Sequence, residues 1–184
     1  MVLLKSLEKL KTGGNAPDFS LKGIDGKTYS LSNFKDAKAL LVIFMCNHCP
    51  YVKAKQKTII GLQNKYKSNG LVVVGINSNE SENYPEDNFE GMMKTAKEKS
   101  YNFFYLHDEA QEVAKTYGAS CTPDPFLFDA KQQLVYHGRF DNALEPGQES
   151  TEFDMDEAIQ AVLNGKKPKH EFLYSIGCSI KWKK

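Results

Sequence analysis

An α/β domain with a largely parallel sheet at its centre is the fold class this sequence predicts, and three observations predict it. Strand-like and helix-like segments alternate along the chain in βαβ order. Two apolar runs without polar alternation, Ala39 to Met45 and Leu71 to Ile76, are of strand length and suit strands covered on both faces. The first run leads directly into Cys46-Asn47-His48-Cys49 and then Pro50, a thiol pair at a strand-to-helix junction. With 184 residues, 41% hydrophobic and 26% charged, the chain has the size and composition of one globular domain spanning residues 1–184. A net charge of +1 gives no bulk attraction to nucleic acid or to an acidic membrane surface.

The elements follow in order. Charges at Lys5, Glu8 and Lys9 interrupt the apolar N-terminal residues where a signal peptide needs an unbroken core, and the longest apolar run is short of a bilayer span. A soluble, cytoplasmic protein is expected. Pro17 to Leu21 and Lys27 to Leu31 flank Gly23-Ile24-Asp25-Gly26, which predicts an N-terminal β-hairpin. Tyr51 to Lys67 reads as a helix between the two apolar strands. The polar stretch Ser78 to Asp87 carries Pro85 and the acids Glu80, Glu82, Glu86 and Asp87, and reads as a solvated loop. Phe89, Met92, Met93 and Ala96 recur at helical spacing, Asn102 to Leu106 reads as a strand, and Glu109 to Tyr117 as a helix stopped by Gly118. Phe126 to Phe128 and Leu134 to Tyr136 predict an antiparallel hairpin, and Asp154 to Leu163 a last helix ended by Asn164-Gly165. The core is placed at about residues 14–164. The tail, 165–184, is basic and expected to be irregular, its lysines solvated and its Tyr174 and Trp182 pinning it to the domain.

The chemistry is in the C-x-x-C. Two intervening residues are expected to let both sulfurs sit in the first helical turn, close enough to bridge, where free N–H groups and the positive helix end favour a thiolate. In the cytosol such a pair is catalytic or metal-binding. A zinc site would need two further ligands from among Cys121, Cys178, His48 and His137, and spacing alone leaves that reading open.

Three anchors in order carry a resemblance: Ala16-Pro17-Asp18-Phe19 with Asp25-Gly26, then Cys46-Asn47-His48-Cys49, then Thr122-Pro123-Asp124-Pro125. From about Gly14 to Leu163 the chain resembles the thioredoxin-fold redoxins, in the AhpC/TSA-like branch shared by peroxiredoxin-like and thiol-disulfide reductase domains. The resemblance implies a central mixed sheet flanked by helices, an N-terminal β-hairpin, a C-terminal tail extension, and a Thr122-Pro123 loop, with Pro123 cis, facing the thiols. It implies thiol-disulfide oxidoreductase activity through a mixed disulfide, with Cys46 the exposed attacking thiol, Cys49 the resolving one and His48 stabilising the nearby thiolate. Thr122, Pro123 and Met45 would border the substrate, Met45 as a cap on the active-site surface. Cys121 falls near the active-site end and Cys178 on the tail; they form a second redox pair or a relay, against the plainer reading of a small buried hydrophobe and an idle thiol. No cofactor and no metal is expected. The partners would be disulfide-containing proteins or small thiols and a reductant or oxidant, with neither nucleic acid nor membrane among them; reduction potential decides direction.

The departures are specific. Met45 stands where thioredoxin has Trp, and Leu40 where it has a buried acid, so the strand before Cys46 supplies no carboxylate for proton handling. Measured from Cys49, the peroxide-positioning Thr or Ser of peroxiredoxins falls on Cys46 and their Pro on Val42, and Arg139 is the sole arginine. A thiol peroxidase is therefore the alternative enzyme. A metal-binding or metal-delivery protein is the alternative of another class; His137 could serve a copper-carrying cousin, which normally spaces its cysteines by three residues.

Overall fold

All six residues of Ala39–Phe44 are buried, and their side chains divide between two cores. Ala39, Leu41 and Ile43 point into one cluster, Leu40, Val42 and Phe44 into the other, as the two-residue period of a strand covered on both faces requires. The computed structural model describes residues 2–184. Among these the strands are β1 (Leu3–Lys5), β2 (Ser20–Gly23), β3 (Thr28–Ser30), β4 (Ala39–Phe44), β5 (Leu71–Asn77), β6 (Phe104–His107), β7 (Cys121–Thr122), β8 (Asp124–Asp129), β9 (Leu134–Gly138), β10 (Phe172–Leu173) and β11 (Ile176–Ser179). The helices are α1 (Pro50–Tyr66), α2 (Phe89–Glu98), α3 (Glu112–Tyr117) and α4 (Asp154–Leu163).

The main sheet runs β10-β9-β8-β4-β5-β6-β2-β3. Its centre β4-β5-β6 is parallel, while β8 pairs antiparallel with β4 and β9 with β8, so the sheet is mixed as expected. One face is covered by Val52, Ile59 and Leu62 of α1, Met92 of α2 and Ile159 of α4. The other is covered by Phe19, Leu31 and Phe34 of the N-terminal region and by Tyr117 of α3. The N-terminal hairpin forms as β2 and β3. Among the described residues no helix is long and apolar enough to cross a membrane.

Two expectations change. Helix α3 starts at Glu112 and not Glu109, because Gln111 takes a left-handed conformation (φ 64°) and the Asp108 carboxylate accepts the Val113 and Ala114 amides. The tail is not irregular. Strand β10 pairs parallel with β9, and β11 lies between β1 and β7 in a separate three-stranded sheet, opposing Cys178 to Thr122. The tail is held by Cys178 and Ile180, both buried, whereas Tyr174 and Trp182 remain 40% and 41% exposed.

Candidate active site

The strand-to-helix junction is built by three local choices. After β4, the Met45 amide still donates to the Ile76 carbonyl (2.9 Å), so the chain leaves the sheet at Cys46. Pro50 occupies the first position of α1, where its missing N–H removes no helical bond, and this sets Cys49 as the N-cap. Cys46 thus lies in the turn ahead of the helix, which corrects the expectation of two sulfurs in its first turn. From the other side the chain passes from β7 through the cis Thr122-Pro123 bond into β8. Thr122 meets both sulfurs: its hydroxyl is 3.3 Å from Cys46 Sγ and its carbonyl oxygen 3.2 Å from Cys49 Sγ. The Cys178 sulfur, delivered by β11, lies 2.7 Å from Cys49 Sγ.

Burial and neighbouring sulfurs set the acidity of this cluster. Cys49 is lowered from the ordinary value of 9.0 to about 5: the Cys46 thiol donates to it, burial opposes, and the Cys178 thiol and the Val52 amide assist. Cys46 moves the other way, well above its usual value, first because it is buried and then because it shares its proton with Cys49 and faces the Asp87 charge. The two opposed shifts make Cys49 the more acidic thiol of the pair. Neither sulfur has exposed surface, so Cys46 is not the exposed thiol that the resemblance implies.

The Redoxin family model matches residues 11–158. The chain belongs to the redoxin family. A crystal structure of an uncharacterized conserved protein from Geobacillus kaustophilus is similar over 100% of this redoxin and 97% of that chain, with 42% identity and a TM-score of 0.94. A Helicobacter pylori (strain J99) protein described as peroxiredoxin bcp is 31% identical over 113 residues, 61% of this chain and 69% of its own length. Thiol-disulfide oxidoreductase ResA of Bacillus thuringiensis subsp. konkukian is 27% identical over 128 residues, 70% and 69% of the two chains. The architecture is thioredoxin-like.

The redoxin supplies a buried acid from a place its sequence did not suggest. Asp87, expected on a solvated face, has no exposed surface, and Glu80 is 8% exposed. The Asp87 carboxylate accepts from the Asn47 amide (2.6 Å), Asn77 Nδ2 (3.2 Å), Asn79 Nδ2 (2.9 Å) and His48 Nδ1 (2.6 Å). Burial opposes its charge, yet these donors, His48 foremost, hold the carboxyl below its usual range. The Tyr105 hydroxyl donates to Asn47 Oδ1 (2.9 Å), fixing the same turn from β6. Sequence reading missed Asp87, Asn77, Asn79 and Tyr105. The usable signal was positional: Asn77 ends β5 and Asp87 immediately precedes the α2 N-cap Asn88, so both fall at the sheet edge that carries the cysteines.

His48 stacks on Tyr84 with ring centroids 4.8 Å apart, and its Nε2 is buried without a hydrogen-bond partner among the described residues. One donor atom each of Cys46, His48 and Asp87 lie within 4.8 Å of one another, and His48 Nδ1 is bonded to the Asp87 carboxylate. Among the described residues His137 joins no such group; its Nε2 bonds Asp124 (2.7 Å) and its ring stacks on Phe126.

Met45 is not a surface cap. It is fully buried in the core, filling the space beside Gly75, which corrects its expected contact with substrate. Thr122 and Pro123 are buried, and Pro123 borders a shallow groove shared with Tyr51, Lys55, Phe140, Glu145 and Ile176. Cys121 is buried, burial pushes its thiol far up, and it donates to the Pro123 carbonyl at 3.8 Å. Arg139 is held by Asp154 (2.7 Å) and Glu152 (3.0 Å).

Proposed function

We propose that this redoxin is a thiol-disulfide oxidoreductase exchanging its Cys46/Cys49 dithiol with disulfides of proteins or small thiols. The observation that carries the reading is the pair of sulfurs, Cys49 at the N-cap of α1 and Cys46 in the turn before it, both against the Thr122-Pro123 loop, with Cys49 the more acidic of the two. Proton transfer across the S–H···S⁻ contact moves the charge from Cys49 to Cys46. The Cys46 thiolate attacks one substrate sulfur, forms the mixed disulfide and expels a substrate thiolate, which takes the proton from Cys49. The regenerated Cys49 thiolate then attacks Cys46 Sγ, closes the internal disulfide and releases the second substrate thiolate. The Thr122 hydroxyl, 3.3 Å from Cys46 Sγ, is placed to donate to the charge as it develops there. In the reducing cytoplasm we propose for it, the pair rests as dithiol and acts as a reductant or isomerase.

The test is a disulfide-reduction assay with two variants. Cys46→Ser should abolish turnover, and Cys49→Ser should accumulate a mixed disulfide with substrate. Undiminished reduction by Cys46→Ser would refute the assignment, and a mixed disulfide trapped on Cys46→Ser instead would exchange the two roles.

A thiol peroxidase is the second reading, favoured by the lowered pKa of Cys49 at a helix N-cap and by similarity to a peroxiredoxin. Arg139 is tied up by two carboxylates, which weighs against it. Hydrogen peroxide consumption with a thiol reductant in excess separates the two.

A further inference from the structure

We propose that Cys178 is a third redox thiol of this site, which takes the disulfide over from Cys46 by attacking the Cys49 sulfur 2.7 Å away. The inference rests on the Cys46/Cys49 exchange reading and extends it: Cys49 becomes the sulfur common to two alternative disulfides.

The placement of Cys178 is built. Strand β11 pairs on one side with β1, setting Cys178 opposite Leu3, and on the other with β7, setting it opposite Thr122. Thr122 is also the residue that touches Cys46 and Cys49, so one backbone position registers all three sulfurs. The preceding residue has to be glycine for this approach, because a Cβ at Gly177 would fall 2.0 Å from the Thr122 carbonyl oxygen. Beyond β11 the Lys181 amide donates to Asn79 Oδ1 (2.9 Å), and the Glu80 amide donates to the Lys181 carbonyl (2.8 Å). The tail is thereby tied to the loop that also carries Asp87. A disulfide between Cys49 and Cys178 needs the sulfurs to close by on the order of half an ångström.

The chemistry balances without an outside reagent once a substrate disulfide has oxidised the pair. The Cys178 thiolate attacks Cys49 Sγ; the Cys49–Cys178 bond forms, the Cys46–Cys49 bond breaks, and the Cys46 thiolate leaves and takes up the proton lost by Cys178. No electrons are gained or lost overall. In the reduced protein burial, and then the neighbouring Cys49, push the Cys178 thiol to about 12. Oxidation of Cys49 removes that neighbouring charge, so the thiol ionises more readily when its target exists. The outcome is a reduced Cys46 beside an oxidising equivalent stored on the tail.

The experiment compares wild type, Cys46→Ser and Cys178→Ser, each oxidised with diamide, denatured in the presence of a maleimide and mapped by mass without reductant. With four cysteines in the chain, Cys46→Ser should fall from three titratable thiols to one, its Cys49 and Cys178 peptides linked. Wild type should contain a fraction with that same link and Cys46 alkylated. Absence of the Cys49–Cys178 link from wild type at every oxidant ratio, or a link through Cys121 in its place, overturns the relay, and this holds even if Cys46→Ser fails to fold. Cys178→Ser tells the two readings apart: if it still closes Cys46–Cys49, the exchange reading stands whatever happens to the relay, and if it does not, the exchange reading itself fails.

Discussion

The backbone amide of Asn47 donates to the Asp87 carboxylate across 2.6 Å, tying the turn between the two active-site cysteines to a loop forty residues further along the chain. The same carboxylate holds His48, Asn77 and Asn79, so a single buried charge organises the polar side of the site. Unlike the acid of thioredoxin, whose place is taken here by Leu40, this carboxylate comes from the loop after β5 and not from the strand before the cysteines.

Replacing Asp87 with Asn keeps the volume and removes the charge. Two of the four donors would then face an amide N–H₂, and leaving buried donors unsatisfied should cost on the order of 3 kcal/mol in unfolding free energy, read by urea titration. The Asp87 charge is among the groups that raise the Cys46 thiol, so its loss should also make that thiol more acidic. An Asp87→Asn protein of parental stability, or one whose Cys46 titrates higher than before, would contradict this account.

The reduced protein should show one thiolate already formed in mildly acidic solution, since Cys49 lies at about 5. The sign follows from proton counting. Between pH 5 and about 9 the folded protein holds fewer protons on Cys49 than the unfolded chain, so this contribution to stability rises with pH. It is complete above the unfolded value and is lost as pH falls through about 5. Cys178 works in the opposite sense: pushed to about 12, it contributes below its unfolded value and loses that contribution as pH rises toward 12. Denaturant unfolding of reduced protein across this range should therefore climb and then decline. Cys49→Ser should lack the climbing limb that this thiol supplies, and a variant that kept the full limb would rule the assignment out.

What the sequence made legible was periodicity at close range. The buried run at β4, the helix from Asp154 to Leu163 and the Phe126/Leu134 hairpin all appear where alternation, helical spacing and turn residues place them. What it concealed was pairing over distance. Strand β11 is four residues long and its partners, β1 and β7, lie far away in the chain, so no local period marks Ile176–Ser179 as a strand or brings Cys178 to Cys49. Asp87 was misread for a related reason: an acid among Glu80, Glu82 and Glu86 has the composition of a solvated loop, and only the donors converging from Asn47, His48, Asn77 and Asn79 reveal it as buried. Met45 was misplaced because its neighbour Cys46 suggested a surface, while its amide still belongs to the sheet.

Gly177→Ala tests whether the close approach of the tail is what seats Cys178. The added methyl would lie 2.0 Å from the Thr122 carbonyl oxygen and 2.5 Å from its carbon, both backbone atoms that no rotamer change can move aside. Strand β11 must then separate from β7, breaking the opposition of Cys178 to Thr122, while β4 and Pro50 at the start of α1 still form the Cys46/Cys49 turn. Because the tail sheet is small and not hydrogen-bonded to the eight-stranded one, the expected loss of stability is moderate, on the order of 1–3 kcal/mol as for other overpacked sites. The sharper readout is chemical. Diamide-oxidised Gly177→Ala should retain the Cys46–Cys49 link and lose the Cys49–Cys178 link, and hydrogen exchange should rise at the β11 amides well before those of β4. If the variant carried the tail link at the wild-type level, β11 would not be the element that holds Cys178 at the site.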